Sequence, residues 1–263
     1  MPPAVTVSIP IYNAERYLAE CLQSIKAQTF DNFEVVAVLD GCKDKSEEIL
    51  MDLKDERFRV VKNERNMGVI SGLNQGIQHA TAPLLARMDS DDIMLPDRLR
   101  KQVDYMNAHQ DVALLGTWFD YMDETGRIFK KPFPFSAEHD AIKREFRVRN
   151  CIGGPTMMFR TEQLRKMGGY IPDFPMAEDL TISLRYLVEG LRLANLPEVL
   201  VHYRFYAASN SQARMKYSND LSKLSYDRYG PLIWGKDAPD IDFNATLGQR
   251  IVRKFKRVLH GKW

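Results

Sequence analysis

The sequence predicts an α/β protein built on a mostly parallel central sheet with helices on both faces. Segments typical of strands and of helices alternate four times over residues 5–92, the order that produces parallel strands. The predicted strands are almost wholly apolar, which is typical of strands covered on both sheet faces. Polar residues follow several strands where they end, and ligands bind beyond that edge in sheets of this kind. We therefore expect a Rossmann-like sheet whose site is built from strand ends.

Composition supports a folded domain and excludes several other classes. The chain has 263 residues, of which 44% are hydrophobic and 27% charged, enough for a large core. A formal net charge of +2 gives no general case for nucleic-acid binding. The three cysteines form no metal-binding pattern, which indicates a reduced, intracellular protein. We see no secretory signal and no apolar stretch long enough to span a bilayer, and we expect a cytoplasmic protein.

The first half of the chain carries the clearest alternation of elements. Asn13 is a candidate cap for the first helix, and Asp44 with Glu47 has the spacing of a capping box for the second. Pro10 ends the first strand, because proline cannot continue a ladder of hydrogen bonds. The predicted strands are 5–10, 34–39, 58–61 and 84–88, with helices after Asn13, after Asp44 and over 68–80.

The second half is less regular but still alternates. Pro96 fits the first turn of a helix, and Thr161 is a candidate cap for a short helix that ends at Gly168-Gly169. The other predicted elements are strands at 112–122, 156–160, 192–196 and 199–205, and helices at 137–149 and 179–189. No internal repeat or low-complexity tract is present. We expect a smaller acceptor-side subregion here.

Three carboxylates lie within four positions at the end of the strand 84–88. Asp89, Asp91 and Asp92 repel one another unless a cation is present, and a hard divalent metal prefers oxygen ligands. Arg87 lies in an apolar run and needs an anionic partner. The group therefore indicates a metal–phosphate site. The alternative is a solvated turn that caps the next helix, which explains Asp92 well and Arg87 poorly.

Polar or aromatic residues also follow the first three strands. A pyrimidine base could stack on Tyr12 and donate its imide N–H to Asp40. The alternative is that Asp40-Gly41 is only a turn. Gly72 and Gly76 lie one helical turn apart, and we favour tight packing of helix on sheet over contact with a ligand.

Glu178-Asp179 opens a predicted helix. A carboxylate here gains from the helix dipole, so a purely structural role is a strong alternative. In the functional interpretation, a base near the metal deprotonates an acceptor hydroxyl and contributes about 10²–10⁴ in rate.

Together these motifs resemble the family 2 glycosyltransferases, in order and spacing, from about Val5 to Ser211. The residues that carry the resemblance are Ser8-Ile9-Pro10-Ile11-Tyr12-Asn13, Asp40-Gly41, Asn66-Met67-Gly68, Leu73-Asn74-Gln75-Gly76, Arg87-Met88-Asp89-Ser90-Asp91-Asp92, Gly168-Gly169-Tyr170, Glu178-Asp179, Arg185, and Tyr203-Arg204 with Ser209 and Ser211. The resemblance implies a GT-A fold and an inverting, single-displacement transfer of a sugar from a nucleotide sugar, commonly a UDP-sugar.

The resemblance also implies roles for individual residues. Asp179 is the general base, Arg87 contacts the diphosphate, and Asp91 is the better candidate than Asp89 for direct ligation of Mn²⁺ or Mg²⁺. The expected donor site consists of Pro10, Tyr12, Asn13, Asp40, Asn66, Gly68, Arg87, Asp89 and Ser90. The expected acceptor-side residues are Glu178, Arg185 and Arg204.

The sequence departs from the family pattern at two places. Tyr206 stands where the family often has a histidine near the metal, so a third metal ligand is not identified. Gly153-Gly154-Pro155 stands where a histidine is often found before Thr156, and a roomier or more flexible acceptor loop is expected.

We expect a glycosyltransferase domain over 1–215, with a nucleotide-sugar half (1–92) and an acceptor half (93–215). Residues 216–263 form a helical extension. Its end, 248–263, has six Lys or Arg and no acid, and reads as a basic amphipathic helix that contacts a membrane surface or docks on its own domain.

The expected function is hexosyl transfer to a hydroxyl of a glycan or lipid-linked acceptor, in synthesis of cell-surface polysaccharide or glycoconjugate. The enzyme would be cytoplasmic or peripheral on the inner face of the membrane. The alternatives are a sugar nucleotidylyltransferase, which would carry a glycine-rich basic signature near the N-terminus, and a catalytically silent nucleotide-sugar-binding module.

Overall fold

A computed structural model of the chain describes residues 2–131, 134–205, 215–239 and 241. Within these ranges the strands belong to one sheet. They are β1 (Val5–Ile11), β2 (Phe33–Asp40), β3 (Phe58–Asn63), β4 (Leu84–Arg87), β5 (Ile93–Met94), β6 (Val112–Met122), β7 (Ile128–Lys130), β8 (Met158–Arg160) and β9 (Arg192–Arg204).

The helices of the same ranges cover both faces of this sheet. They are α1 (Leu18–Lys26), α2 (Ser46–Asp52), α3 (Val69–His79), α4 (Arg98–Ala108), α5 (His139–Glu145), α6 (Thr161–Lys166), α7 (Glu178–Val188) and α8 (Met215–Trp234). Single turns of 3-10 helix occur at Gly154–Thr156 and Gly235–Asp237.

The sheet has the order β3-β2-β1-β4-β8-β6-β9-β5, with β7 paired to β6 outside this path. The first four strands are parallel, as the alternation of elements predicts. Strand β8 is antiparallel to both of its neighbours, β4 and β6, and β6 is parallel to β9. The two halves of the sheet therefore run in the same direction although an antiparallel strand separates them, and their carboxyl ends meet at one edge.

Strands β6 and β9 reach farther than β4 at that edge. Leu115 of β6 and Ala86 of β4 both lie opposite Met158 of β8, so Gly116 is level with Arg87. Strand β4 ends at Arg87, whereas β6 continues to Met122, roughly 20 Å farther at about 3.3 Å per residue. The ends of β6 and β9 thus project past the point where β4 stops.

The core has two layers, one on each sheet face. Helices α1, α2 and α4 cover one face, with buried residues such as Leu22 and Leu99. Helices α3, α5, α6, α7 and α8 cover the other face, with Leu73, Leu184 and Tyr226. Burying each such aliphatic side chain stabilises the fold by roughly 1.5–3 kcal/mol. Strands β1, β2 and β4 are almost fully buried because both layers pack against them.

Two predicted helix starts are wrong because loop contacts use the predicted caps. Helix α1 begins only at Leu18, and Asn13, with a φ of +48°, accepts a hydrogen bond from the backbone N–H of Lys43. Helix α2 begins at Ser46, and Asp44 accepts the N–H of that residue, so no capping box forms.

Two further details differ in the second half. Pro96 lies before α4, which begins at Arg98, rather than in its first turn. Thr161 is the first residue of α6 instead of its cap, and its hydroxyl donates to the carbonyl of Ala82.

Over the residues that the structure describes, no helix combines the length and apolar character needed to cross a bilayer. Tyr206 and the basic segment 248–263 lie outside the described residues. The division into halves at residue 92 and an extension from 216 stays a prediction.

Candidate active site

Strand β2 ends at Asp40, which is buried beneath the loop that follows β3. Its carboxylate accepts three hydrogen bonds, from Asn63 Nδ2 at 2.8 Å and from the backbone N–H groups of Met67 and Gly68 at 2.9 Å. A carboxylate has about four acceptor positions, so one remains for a ligand. Asp40 therefore holds this loop in place, and its contact to a nucleobase stays a prediction.

Tyr12 lies beside this loop with 46% of its surface exposed, so its ring is open to stacking. Asn66 is also exposed, and its side-chain oxygen accepts the N–H of Gly68. Asn13 is exposed at the same edge of the sheet. The predicted donor residues from the first three strands are thus together at one edge, and their roles stay predictions.

Gly72 and Gly76 place α3 directly on β1. A Cβ at Gly76 would lie 1.8 Å from Ser8 Oγ, and one at Gly72 would lie 3.0 Å from Pro10 Cβ. The packing interpretation of these glycines is confirmed. Pro10 is thereby held at the end of β1, next to Tyr12.

Arg87 is the centre of the site. It is only 4% exposed, and its guanidinium pairs with Asp89 through Nε at 3.0 Å and Nη2 at 3.2 Å, and with Glu178 through Nη2 at 2.9 Å. Nη1 is buried and has no hydrogen-bond partner among the described residues. Arg87 therefore bridges the acidic loop after β4 and the first turn of α7.

Electrostatics and packing both hold Arg87 in place. Burial opposes its charged form, but Asp89 and Glu178 outweigh that effect and raise its pKa well above the usual value. A Cβ at Gly154 would lie 2.8 Å from Arg87 Cζ. The expectation of a roomier loop at 153–155 is wrong, because the guanidinium fills the space that Gly154 leaves.

Asp179 lies in the first turn of α7, directly after Glu178. Its Oδ2 accepts a hydrogen bond from Asn150 Nδ2 at 3.1 Å, and its Oδ1 accepts the N–H of Leu180 at 2.7 Å. Burial, together with the charge of Glu178, raises the pKa of Asp179 to about 6, although Arg87 acts in the opposite direction. A carboxylate with this pKa is a stronger base than an exposed aspartate and is still ionised at neutral pH.

Asp92 has a different environment from its neighbours in the acidic loop. It is buried, its Oδ1 accepts the backbone N–H of Arg204 at 2.7 Å, and burial raises its pKa well above the usual value. Helix α4 begins six positions later, at Arg98, so Asp92 does not cap it. It is a structural acid that fixes the loop to β9.

Arg204 holds the same loop from the other side. Its Nε donates to the carbonyl of Asp91 at 2.8 Å, Nη2 pairs with Glu20 at 2.7 Å, and the guanidinium lies 4.2 Å from the ring centre of Tyr17. Through these contacts the buried Arg204 holds the acidic loop against α1 and the end of β9. The predicted acceptor role of Arg204 stays untested.

Arg185 supports the turn before α7. Its guanidinium donates to the carbonyls of Gly169 and Met167. Asn74 of α3 meets the same turn, because its amide exchanges two hydrogen bonds with the backbone of Tyr170 at 2.8 and 2.9 Å. The structure gives Arg185 a positioning contact, and a direct contact to acceptor stays a prediction.

Sequence reasoning missed two residues of the site. Arg98 is fully buried, donates to the carbonyl of Arg87 at 2.9 Å, and forms no ion pair with a carboxylate of the described residues; burial lowers its pKa to about 9. Its position, four residues before Gln102 on the apolar face of α4, could have indicated burial. Asn150 lies 29 residues before Asp179 and gave no local signal.

The acidic loop suits a divalent cation that completes its coordination with phosphate. Asp89 and Asp91 are partly exposed, and the guanidinium of Arg87 beside Asp89 supplies positive charge next to them. Within the described ranges no three His, Cys, Asp or Glu side chains are grouped to hold a metal. Mg²⁺ is commonly held by one or two carboxylates plus substrate phosphates, so this residue set fits such an ion.

Comparisons with known proteins agree with this geometry. The family model described as Glycosyl transferase family 2 matches residues 6–168. An uncharacterized glycosyltransferase of Methanocaldococcus jannaschii is 34% identical over 218 residues, covering 81% of this chain and 75% of the relative. The amylovoran biosynthesis glycosyltransferase AmsE of Erwinia amylovora is 34% identical over 209 residues, with coverage of 76% and 75%.

A third relative and two solved structures extend the comparison. An Escherichia coli UDP-Gal:alpha-D-GlcNAc-diphosphoundecaprenol beta-1,3-galactosyltransferase is 28% identical, with coverage of 86% and 82%. S. aureus TarS 1-349 in complex with UDP-GlcNAc superimposes with a TM-score of 0.74 at 18% identity, covering 98% of this chain and 78% of that one. The mannosyltransferase PcManGT of Pyrobaculum calidifontis, with GDP-Man and Mn²⁺, gives a TM-score of 0.67 at 17% identity, with coverage of 98% and 81%.

Proposed function

This chain belongs to glycosyltransferase family 2 and is an enzyme with a GT-A fold, and we propose that it transfers a sugar from a UDP-sugar to a hydroxyl of a glycan or lipid-linked acceptor. The family disfavours a nucleotidylyltransferase or a silent binding module. The names of relatives support polysaccharide or glycoconjugate synthesis as the setting. UDP is favoured because one relative is named for UDP-Gal and a structural neighbour holds UDP-GlcNAc.

One observation carries the proposal. Arg87 pairs with Asp89 of the acidic loop and with Glu178, the residue before the proposed base. One buried guanidinium therefore joins the acidic loop, proposed to meet the diphosphate, to the helix turn that carries the proposed base. A transfer reaction needs both at once, whereas a module that only binds the nucleotide needs no base.

In the proposed reaction, Asp179 accepts the proton of an acceptor hydroxyl as its oxygen bonds to the anomeric carbon. The bond from that carbon to the diphosphate breaks on the opposite side, which inverts the configuration. Arg87 contacts the departing phosphate in this proposal and stabilises the charge that develops there. A Mn²⁺ or Mg²⁺ ion held by Asp91 and Asp89 would supply further charge neutralisation.

Membrane contact is a further part of the proposal. The basic segment 248–263 would bring the enzyme to an anionic membrane if the acceptor is lipid-linked. A liposome pull-down with anionic lipid tests this: deletion of 248–263 should abolish binding, and no difference would refute the membrane role.

Thermal-shift measurements with nucleoside diphosphates test the donor site. UDP at about 100 times its Kd should raise the Tm by roughly 5 °C in the presence of Mn²⁺, because binding to the folded state stabilises it. Asp91→Ala should lose the Mn²⁺-dependent part of that shift. Asp104→Ala, an exposed aspartate on α4, should behave as wild type.

Release of UDP from a panel of UDP-sugars then tests the chemistry. We expect at least one sugar to be turned over with metal present. Failure of every nucleoside diphosphate to shift the Tm would contradict the donor assignment, and an unaltered Mn²⁺ effect in Asp91→Ala would contradict the role of Asp91 as a ligand.

A further inference from the structure

Among the residues that the structure describes, six aromatic rings form one continuous cluster on the projecting ends of β6 and β9, on β7, and on the loop before α5. We call this cluster the aromatic wall, and it consists of Phe119, Tyr121, Phe129, Phe135, Tyr203 and Phe205. Neighbouring ring centres are 5.3–6.2 Å apart. Nothing in the donor site or in the chemistry at Asp179 uses these rings.

The inner end of the aromatic wall adjoins the catalytic groups. A Cβ at Gly153 would lie 2.7 Å from Phe119 Cε1, and the next residue, Gly154, packs against Arg87. Asn150, three residues before Gly153, donates to Asp179. The wall therefore begins at the loop that contacts both Arg87 and the proposed base.

The aromatic wall also lies on the same side of the sheet as the base. The ring of Phe119 contacts Phe135, which packs against the buried cluster that contains Leu180 of α7. Trp118 fixes this arrangement, since its indole N–H donates to the carbonyl of Phe135 at 3.0 Å.

The exposure of the rings increases away from the site. Phe119 is 8% exposed, and Phe129 at the outer end is 49% exposed. The inner rings are therefore held by packing, while the outer ring offers a free face. A gradient of this kind suits a ligand that extends outward from the reacting hydroxyl, one unit after another.

We propose that the aromatic wall binds a sugar ring of the acceptor next to the one that is glycosylated. The face of an aromatic ring is electronegative, and the C–H groups on one face of a pyranose carry the complementary partial charge. Lys130, whose Nζ lies 5.1 Å from the ring centre of Tyr121, complements an acidic substituent on that saccharide. This proposal rests on the proposed function, because it needs an acceptor directed to Asp179.

The structure favours a saccharide over a bilayer or a second copy of the chain. The tyrosine hydroxyls and the cation of Lys130 interrupt the aromatic surface. The exposed apolar residues of β7 are limited to Ile128 and Phe129. A lipid surface or a stable dimer needs a larger continuous apolar area.

Saturation-transfer NMR with methyl glycosides tests the proposal. The panel contains the methyl glycosides of glucose, galactose, N-acetylglucosamine, mannose and rhamnose, each with UDP and Mn²⁺ present. Wild type should saturate ring C–H protons of at least one glycoside. Phe129→Ala removes the aromatic contact and should weaken that binding about two- to tenfold. Phe129→Trp keeps an aromatic ring at this position and should bind the glycoside about as well as wild type.

Two controls separate the contact from damage to the fold. Ile128→Ala, on the same strand but on the alternate face, should bind the glycoside as wild type does. The thermal shift caused by UDP should keep its size in Phe129→Ala. A signal that is equal in wild type, Phe129→Ala and Ile128→Ala would overturn the proposal, as would the absence of any signal from the whole panel.

If the proposal is wrong, two further measurements test whether the aromatic wall contacts a membrane or a second copy of the chain. Phe129-dependent sedimentation with phosphatidylglycerol vesicles would make it a membrane contact, and a Phe129-dependent change of mass in light scattering would make it a contact between copies. The two proposals can fail separately. If UDP binds and no glycoside does, only the aromatic wall is refuted; if glycosides bind and no nucleotide does, the donor assignment is refuted.

Discussion

The loop after β4 and the first turn of α7 contain the same kinds of residues in very different environments. Each has one carboxylate paired with Arg87, namely Asp89 and Glu178. Each also has one carboxylate whose pKa burial raises, namely Asp92 and Asp179. The difference lies in what these last two contact.

Asp92 accepts a backbone N–H inside the protein, from Arg204 at 2.7 Å, and is closed off from solvent. Asp179 is partly exposed, and its Oδ2 contacts the side chain of Asn150 at the edge of the acceptor region. Identical carboxyl groups therefore separate into a structural acid and a candidate base according to the donors around them. Position in an acidic motif does not decide that role.

The largest expected effect is that of Asp179→Asn on transfer. Removing the base should lower the rate of sugar transfer about 10²–10⁴-fold, while UDP and metal bind nearly as before. UDP release in the presence of acceptor measures the rate. Asp173→Asn is the matched control, because Asp173 is exposed and pairs only with Arg228 among the contacts of the described residues. A variant that stays active would refute the assignment of the base.

Arg87→Met tests the counter-charge that both segments share. Methionine keeps the apolar stem but leaves Asp89 and Glu178 without their cation, so the free energy of unfolding should fall by about 3–5 kcal/mol. Urea denaturation measures the change. Arg16→Met removes an exposed pair with Glu124 and should cost at most about 1 kcal/mol. Equal losses in the two variants would mean that Arg87 is not the electrostatic link.

The pH dependence of transfer reports on Asp179 directly. Only the ionised carboxylate accepts a proton, and its pKa is about 6. The value of kcat/KM should therefore rise about tenfold per pH unit below 6 and level off above it. Residual activity of Asp179→Asn should lack this limb. A limb near pH 4 would mean that Asp179 is not the titrating group.

The smallest expected effect is a shift of that limb in Asn150→Ala. The amide of Asn150 stabilises the ionised form of Asp179, so its loss should raise the pKa, and the midpoint should move up by about half a pH unit. Asn107→Ala, an exposed residue of α4, should leave the midpoint unchanged. A downward shift would contradict the role of this hydrogen bond.

The nucleotide-binding half of the fold could be predicted because its information is local. Each parallel strand is followed within a few residues by the polar groups that the sheet brings to its edge, so Asp40, Arg87 and Asp89 were found from their spacing alone. The helix starts at Asn13 and Asp44 were wrong because loop contacts 30 and 29 residues away compete for these side chains. A local capping pattern gives no information about such contacts from residues distant in sequence.

The acceptor half could not be predicted to the same depth. Strand β8 inserts antiparallel between β4 and β6, and nothing near Met158 in sequence specifies those partners. The contact of Asn150 with Asp179 and the fit of Gly154 against Arg87 depend on this insertion. The absence of a side chain at Gly154 suggested free space in the sequence. In the structure, the guanidinium of Arg87 from β4 occupies that space.

Arg204 ties the end of β9 to residues synthesised far earlier: its N–H bonds to Asp92 at a sequence separation of 112, and its guanidinium bonds to the carbonyl of Asp91 at a separation of 113. Contacts of such separation form late in folding, because the chain between them must first be ordered. Until β9 has left the ribosome, the acidic loop has neither of these contacts. We therefore expect the nascent chain to be unable to hold a donor until β9 has joined the sheet.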